Sequence, residues 1–182
     1  DPLRIWINEA HKRGIKVHIW FETFYVGNKP PETNAGYILA KKPEWANYQK
    51  KNADSDTIAY SVSEHNGYFI DPANPEVQNF LYELLCEIIT RYKPDGINLD
   101  YIRYPQSLDT IYSNYDMSNW GYTKYARDEF FKMYGVDPIE LKYTDPLWFQ
   151  WRAYRCNKVT SFVRRVSVLC RFNKIQITTV IF

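Results

Sequence analysis

Several common functional signatures are missing from this 182-residue sequence. Its cysteines, Cys86, Cys156 and Cys170, are odd in number and lack metal-ligand spacing, so neither a disulfide framework nor a zinc site is predicted. No apolar run reaches the ~18 residues of a membrane-spanning helix. No glycine-rich phosphate loop and no serine-nucleophile elbow is found either. The sequence therefore predicts no cofactor, no metal site and no transmembrane segment.

Charge of one sign is also lacking, because the net charge is only +2. A nucleic-acid-binding protein would need a concentrated basic stripe. The densest basic run, between Arg152 and Lys174, is spread over a predicted helix and is typical of a solvated face. We therefore expect no nucleic-acid partner. No signal-peptide pattern opens the sequence, and the composition does not define an oligomeric state.

Aromatic residues, in contrast, are plentiful: they make up 18% of the chain and include 16 Tyr and 6 Trp. Trp and Tyr rings stack on flat apolar surfaces, and the C–H faces of sugar rings provide such surfaces. A Tyr-rich core would explain the same composition. Both interpretations stay open for the aromatic residues of a polar insertion after Pro105, which are Tyr112, Tyr115, Trp120 and Tyr122.

Alternating helices and strands predict an α/β domain with a parallel sheet. Helices are predicted over residues 2–13, 75–92, 122–134 and 146–171, and strands over residues 15–24, 97–102 and 175–182. A β-hairpin over residues 57–70, turning at His65-Asn66-Gly67, is predicted within a long irregular excursion. Asp71, before Pro72, is predicted to be a turn or helix-cap residue.

Two carboxylates lie near the carboxyl ends of predicted strands. Asp100 has Asn98 two residues earlier on the same face of its strand. Glu22 shares a face with His18 and Trp20. Right-handed crossovers bring the carboxyl ends of parallel strands to one rim, where the chemistry of such proteins is usually built. We therefore expect Glu22 and Asp100 to meet at that rim.

Hydrolysis by acid–base catalysis usually uses two carboxyl groups, one that donates a proton and one that acts as base or nucleophile. Packing against Trp20 would raise the pKa of Glu22 toward that of a useful acid. A nearby Arg103 would keep Asp100 ionised as a nucleophile or base. The opposite assignment of the two roles also fits the sequence. Structural roles are the alternative, with Asp100 as a loop cap and Glu22 in a salt bridge.

Two residues after Asp100 are candidates for substrate binding at the rim. Arg103 can hold a sugar carboxylate or a lactyl carboxylate through two hydrogen bonds. It can equally pair with Asp95 or Asp100. Tyr104 can stack on a sugar, hydrogen-bond to it, or pack the loop.

Three residues deeper in the strands complete the candidate substrate site. Asn98 can orient Asp100. His18 is more typical of a satisfied histidine inside a barrel than of a catalytic base. Trp20 can be a sugar platform, although core packing is the more common role for such a residue.

Three stretches of the chain carry a family resemblance. They are residues 9–22 (EAHKRGIKVHIWFE), residues 69–77 (FIDPANPEV) and residues 95–105 (DGINLDYIRYP). Together with the helix at Arg152 to Arg165 and the closing strand, they resemble the bacterial glycosyl hydrolase-like 10 proteins. That group contains divisome-associated peptidoglycan glycosidases and related lipoproteins.

The resemblance implies a (β/α)₈ barrel that hydrolyses glycosidic bonds in a bacterial polysaccharide. Peptidoglycan glycan strands are the best-known substrate, and the setting is extracytoplasmic: periplasmic, lipoprotein or secreted. The alternatives are a non-catalytic glycan-binding barrel and a hydrolase of another bond on the same scaffold.

The length of the chain is short for a whole barrel, which typically needs about 250 residues. We therefore expect residues 1–182 to form a partial (β/α)₈ barrel domain with the third to fifth strands and a small hairpin insertion. Such a fragment of a longer protein need not be active alone. A monomeric 182-residue chain with a sharp melt and full activity would contradict this expectation.

Overall fold

A computed structural model describes residues 1–33, 37–107 and 119–180. Three parallel strands form the main sheet of this part, in the order β1 (His18–Glu22), β4 (Gly96–Asp100) and β5 (Gln176–Thr179). A second, antiparallel pair is formed by β2 (Tyr25–Gly27) and β3 (Tyr68–Phe69). The predicted α/β class with a parallel sheet is confirmed.

The helices follow the predicted order. They are α1 (Pro2–Lys12), the short α2 (Ile38–Lys41), α3 (Pro75–Tyr92), α4 (Lys124–Tyr134) and α5 (Pro146–Phe172). Local sequence explains the bounds of α3. Asn74 caps its first turn by accepting a hydrogen bond from the Glu76 backbone N–H, and Lys93 ends it in a left-handed conformation. No helix of the described residues is long and apolar enough to cross a membrane.

Alternation along β4 separates the core from the open face of the sheet. Ile97 and Leu99 are fully buried among apolar residues of α3 and α5, such as Leu85 and Phe162. Asn98 and Asp100 therefore point to the opposite face, which the helices leave uncovered. The polar face of the sheet is the one that the sequence pattern predicted.

The strands at the candidate site are shorter than predicted. β1 begins at His18 and ends at Glu22, and β4 ends at Asp100. Tyr101 has a φ of 45°, in the left-handed region, and this conformation turns the chain out of β4. Asp100 is therefore the last residue of its strand.

The predicted hairpin forms only in part. His65 and Asn66 adopt left-handed φ values of 57° and 59°, and an antiparallel bridge joins Ser61 to Gly67, so the turn is where the sequence placed it. The strand after the turn, however, pairs with β2 instead of residues 57–62. A Cβ at Gly67 would lie 2.3 Å from the Tyr25 ring, so this close packing of β2 on the turn requires glycine.

A second apolar cluster joins α4 to α5. Trp120 and Tyr122, which were candidates for stacking on a substrate, are buried in or beside it. Tyr122 packs on Trp151 with ring centroids 5.2 Å apart. These two aromatic residues belong to a local core. Tyr112 and Tyr115 lie outside the described residues.

Asp71 links the two clusters as a turn residue, which confirms its predicted role. Its carboxylate is 1% exposed and accepts hydrogen bonds from the Ala73 backbone N–H, at 2.9 Å, and from the Thr123 hydroxyl, at 2.6 Å. Thr123 is in turn the N-cap of α4. Burial outweighs these hydrogen bonds and raises the pKa of Asp71 to about 6.

We expect this burial to make stability depend on pH. The folded pKa of Asp71 is raised, so its contribution is most favourable below about pH 4 and is lost as the pH rises to about 6. Asp71→Asn should remove a decrease of about 3 kcal/mol in the free energy of unfolding over that range. Urea unfolding at pH 4 and pH 7 measures the difference. Asp128→Asn, at an exposed site of α4, is the matched control, and an unchanged pH slope in Asp71→Asn would refute the assignment.

Candidate active site

The carboxyl ends of β1 and β4 bring two carboxylates to neighbouring positions. Parallel pairing in register sets Glu22 opposite Asp100, and Trp20 opposite Asn98. Adjacent strands lie about 4.8 Å apart, and residues opposite each other project from the same face. Glu22 and Asp100 therefore stand side by side on the open face of the sheet, as predicted.

Asp100 is held in place by one N–H donor on each carboxylate oxygen. The indole N–H of Trp20 donates to Oδ2 at 2.8 Å, and the Tyr101 backbone N–H donates to Oδ1 at 2.7 Å. The residue is only 7% exposed. These two contacts fix the orientation of the carboxylate, while its remaining lone pairs can still accept hydrogen bonds.

Trp20 lies on the open face of the sheet and not in the core. The expectation of core packing is wrong, because the residue is 70% exposed. Its N–H is bound to Asp100, so one edge of the ring is anchored while most of its surface meets solvent. An anchored and exposed indole beside two carboxylates is suited to stack on a sugar ring.

Glu22 has a pKa above its ordinary value. Partial burial is the larger cause, and the neighbouring charge of Asp100 is the second. Both effects disfavour the ionised form of the carboxyl group. The direction agrees with the sequence-based expectation. Of the two carboxyl groups, Glu22 is therefore suited to donate a proton.

Arg103 does not pair with Asp95 or Asp100, so this expectation was wrong. Its guanidinium binds the carboxylate of Glu64 at 2.5 Å, and Glu64 is only 5% exposed. Asp95 instead accepts hydrogen bonds from the Val17 backbone N–H and the ring of His11. The argument that Arg103 keeps Asp100 ionised therefore loses its structural basis.

Tyr104 packs the loop and does not line the open face. Its ring lies against Gly121, where an added Cβ would come within 2.9 Å of the ring. The centroid of the ring is 5.8 Å from the guanidinium of Arg155. The hydroxyl group is buried, and burial holds the pKa of Tyr104 well above its ordinary value. A substrate at Asp100 does not reach this hydroxyl group.

Asn98 and His18 lie further from the rim on the same face as the carboxylates. Asn98 is half-buried between Trp20 of β1 and Thr178 of β5. Its side-chain oxygen has no hydrogen-bond partner within the described ranges. His18 is exposed, in contrast to the expected satisfied histidine, and its ring covers Gly96. His18 is thus accessible to a ligand on this face, whereas the side-chain oxygen of Asn98 is buried.

Two groups at the rim were missed from the sequence. Tyr25 and Tyr101 stack with their centroids 4.7 Å apart. Burial raises the pKa of each ring, and the nearby charges of Glu22 and Glu64 raise it further. The stack therefore lies near both of these acids. No spacing in the sequence relates positions 25, 64 and 101, because the contacts form only after the chain folds back at residues 65–67.

No group of three or more His, Cys, Asp or Glu side chains that could hold a metal ion is found in the part of the chain that the structure describes. The donors around Asp100 are an indole and a backbone amide, which are not metal ligands. The site presents two carboxyl groups beside the exposed indole of Trp20.

Comparisons with known proteins agree with this chemistry. A family model described as glycosyl hydrolase-like 10 matches residues 1–181. Glycosyl hydrolase DigH of Escherichia coli (strain K12) is 34% identical over 110 residues, which are 59% of this chain and 24% of that protein. Glycosyl hydrolase YngK of Bacillus subtilis (strain 168) is 25% identical over 111 residues, covering 59% of this chain and 19% of that protein. The matched part thus spans about a quarter or less of these relatives.

Among solved structures, an α-galactosidase from Lactobacillus brevis shows a partial likeness. The TM-score is 0.42 at 17% sequence identity, and the match covers 73% of this chain and 17% of that chain.

The electrostatic coupling of the two carboxyl groups can be measured directly. In Asp100→Asn we expect the pKa of Glu22 to fall part of the way toward its ordinary value, because the charge is removed while the burial remains. Carboxyl carbon chemical shifts followed by NMR over a pH titration report it. Asp56→Asn, at an exposed loop position, should leave the Glu22 titration unchanged. A Glu22 pKa that is the same in wild type and Asp100→Asn would contradict the arrangement.

The Arg103–Glu64 pair should contribute to stability. Arg103→Met leaves the buried Glu64 carboxylate unpaired, and we expect a loss of about 2–4 kcal/mol in the free energy of unfolding. Arg13→Met breaks a pair with Glu9 that is mostly exposed, so it should cost less than about 1 kcal/mol. Adding Glu64→Gln to Arg103→Met should restore part of the loss. Urea unfolding measures these losses. Equal losses of unfolding free energy in Arg103→Met and Arg13→Met would show that burial of Glu64 does not strengthen its pair with Arg103.

Proposed function

The chain belongs to the glycosyl hydrolase-like 10 family, and from this premise we propose that it hydrolyses glycosidic bonds of a bacterial polysaccharide at Glu22 and Asp100. The observation that carries the proposal is the in-register placement of these residues at the carboxyl ends of two parallel strands. The protein is thus proposed to be an enzyme of the O-glycosidase type.

The two carboxyl groups are proposed to have different roles. Glu22, whose pKa is raised, is the acid that protonates the oxygen of the leaving sugar. Asp100, oriented by Trp20 and the Tyr101 N–H, is the second carboxylate and acts as nucleophile or base. The anomeric configuration of the first product, observed by NMR, distinguishes a nucleophile from a base.

Peptidoglycan glycan strands are the substrate that we propose, with an extracytoplasmic location. Support comes from the family and from the rim, where Trp20 and the Tyr25–Tyr101 stack offer faces for sugar rings. Residues 1–182 are proposed to contribute three strands of a (β/α)₈ barrel, and the rest of the barrel would complete the cleft. Arg103, Asn98 and His18 remain proposed substrate contacts, whereas Tyr104 is proposed only to shape the loop.

A non-catalytic glycan-binding domain is the second candidate function. The exposed indole of Trp20 favours it, because an anchored aromatic ring binds a sugar whether or not a bond is cleaved. The two functions make different predictions for substitutions at the carboxyl groups.

We expect Glu22→Gln and Asp100→Asn, made in the whole protein that carries this chain, each to lower turnover by at least about 10³-fold. Both substitutions preserve shape, so the glycan Kd should stay within about three-fold of wild type. Turnover is measured as reducing ends released from purified glycan strands, and Kd by calorimetry.

Glu44→Gln is the matched control, because Glu44 is exposed and pairs only with Lys42 in the described chain. It should have wild-type turnover. Unchanged turnover in both site variants would remove the catalytic assignment. A wild-type protein that binds the glycan at micromolar concentration but does not cleave it would instead establish the glycan-binding function.

A further inference from the structure

A cavity of about 430 Å³ lies apart from the Glu22–Asp100 pair, within the loop that follows β1. Its volume is within the range of small-ligand sites. The polar and aromatic residues that line it include Lys51, Asn52, Thr57, Tyr60, Ser63 and Gln106. None of the lining residues in the described part of the chain is acidic.

The cavity lies between loops that follow β1 and β4, the strands that carry the two carboxylates. Most of its wall belongs to residues 49–63, between β1 and α3, while Gln106 comes from the loop after β4. The hydroxyl of Ser63 donates to the Gln106 carbonyl oxygen at 3.3 Å, and the Gln106 N–H donates to Glu64 at 3.1 Å. Glu64 also pairs with Arg103, which follows Asp100 at the rim. These contacts connect the cavity wall to the rim.

The lining has the chemistry of a carbohydrate site. Hydroxyl and amide groups match the donors and acceptors of a sugar ring, and Tyr60 offers a partly exposed aromatic face (48%). Tyr60 is supported from behind by Tyr68, with ring centroids 5.8 Å apart. The arrangement combines one fixed aromatic surface with several convergent polar groups, as in small-molecule sites generally.

Lys51 gives the cavity a positive charge. It is exposed, and no acidic side chain in residues 1–33, 37–107 and 119–180 forms an ion pair with it. An ammonium group without a partner at the edge of a cavity without acids favours an anionic ligand. On the glycan strands proposed as the substrate, that anionic group is a carboxylate.

We propose that this cavity is a second subsite of the glycan, which binds a sugar unit that bears a carboxylate. Tyr60 stacks on the sugar ring and Lys51 binds the carboxylate. The inference rests on the proposed function for its polysaccharide ligand. It adds a preference for carboxylate-bearing sugars that the Glu22–Asp100 pair does not itself provide.

The test compares two probes in the whole protein, with Glu22→Gln as the background so that the probe remains intact. One is a tetrasaccharide of alternating N-acetylglucosamine and N-acetylmuramic acid, and the other is the same molecule with its carboxylates converted to methyl amides. We expect the acidic probe to bind about three- to five-fold more tightly, and Lys51→Met to remove that difference. Tyr60→Ala should weaken both probes by about ten-fold, and Tyr60→Phe should restore binding.

Two controls carry the same chemical changes outside the cavity. Lys132→Met and Tyr125→Ala, both on exposed positions of α4, should bind both probes as the background does. The inference is overturned if the probes bind equally, if neither binds, or if a control variant loses as much affinity as its counterpart. Calorimetry gives the Kd values, and circular dichroism confirms that Tyr60→Ala folds.

Hydrolysis of the acidic probe by proteins with an intact Glu22 separates this inference from the proposed function. Lys51→Met should raise KM and leave kcat unchanged. If Lys51→Met and Tyr60→Ala change probe binding as expected but the acidic probe is not hydrolysed, only the proposed function is refuted. Hydrolysis by a protein in which Lys51 and Tyr60 do not affect binding would refute the second subsite alone.

Discussion

The parallel, in-register pairing of β1 with β4 is the constraint on which the rest of the site depends. It sets Glu22 opposite Asp100 and Trp20 opposite Asn98. Because side chains alternate along a strand, a shift of one residue would turn one member of each pair toward the helices. The buried Ile97 and Leu99 exclude that shift, since it would move apolar side chains out of the core. Core packing therefore fixes the placement of the two carboxyl groups.

Electrostatics at the site follow from that placement. Partial desolvation of Glu22 and the charge of the neighbouring Asp100 both raise its pKa. Asp100 instead receives two N–H donors, one from the strand that carries Glu22. Two carboxyl groups on neighbouring strands thus have different environments, as acid and base partners require. The difference arises from the register and from one indole.

Much of this arrangement could be predicted from the sequence, because it depends on local patterns. The bounds of α3 follow from Asn74 and Pro75, and the shared rim of Glu22 and Asp100 follows from strand alternation and the rules for parallel connections. The contacts of Arg103, Tyr104 and Trp20 could not be predicted in the same way. They depend on Glu64, Gly121 and the uncovered face of the sheet, which tertiary structure alone brings to these residues. A residue after a strand end has many compatible partners in sequence, and only the fold selects among them.

Tyr101 shows how one backbone conformation connects the strand to the wider rim. A left-handed φ of 45° is unfavourable for a residue with a side chain, at a cost of about 1–2 kcal/mol. Several contacts offset this cost: its N–H binds Asp100, and its ring stacks on Tyr25 and lies 5.2 Å from the guanidinium of Arg103. The turn at Tyr101 directs the chain toward Glu64 and so to the wall of the cavity at Gln106. The conformation that ends β4 at Asp100 therefore also joins the carboxylate pair to the loop that carries the proposed second subsite.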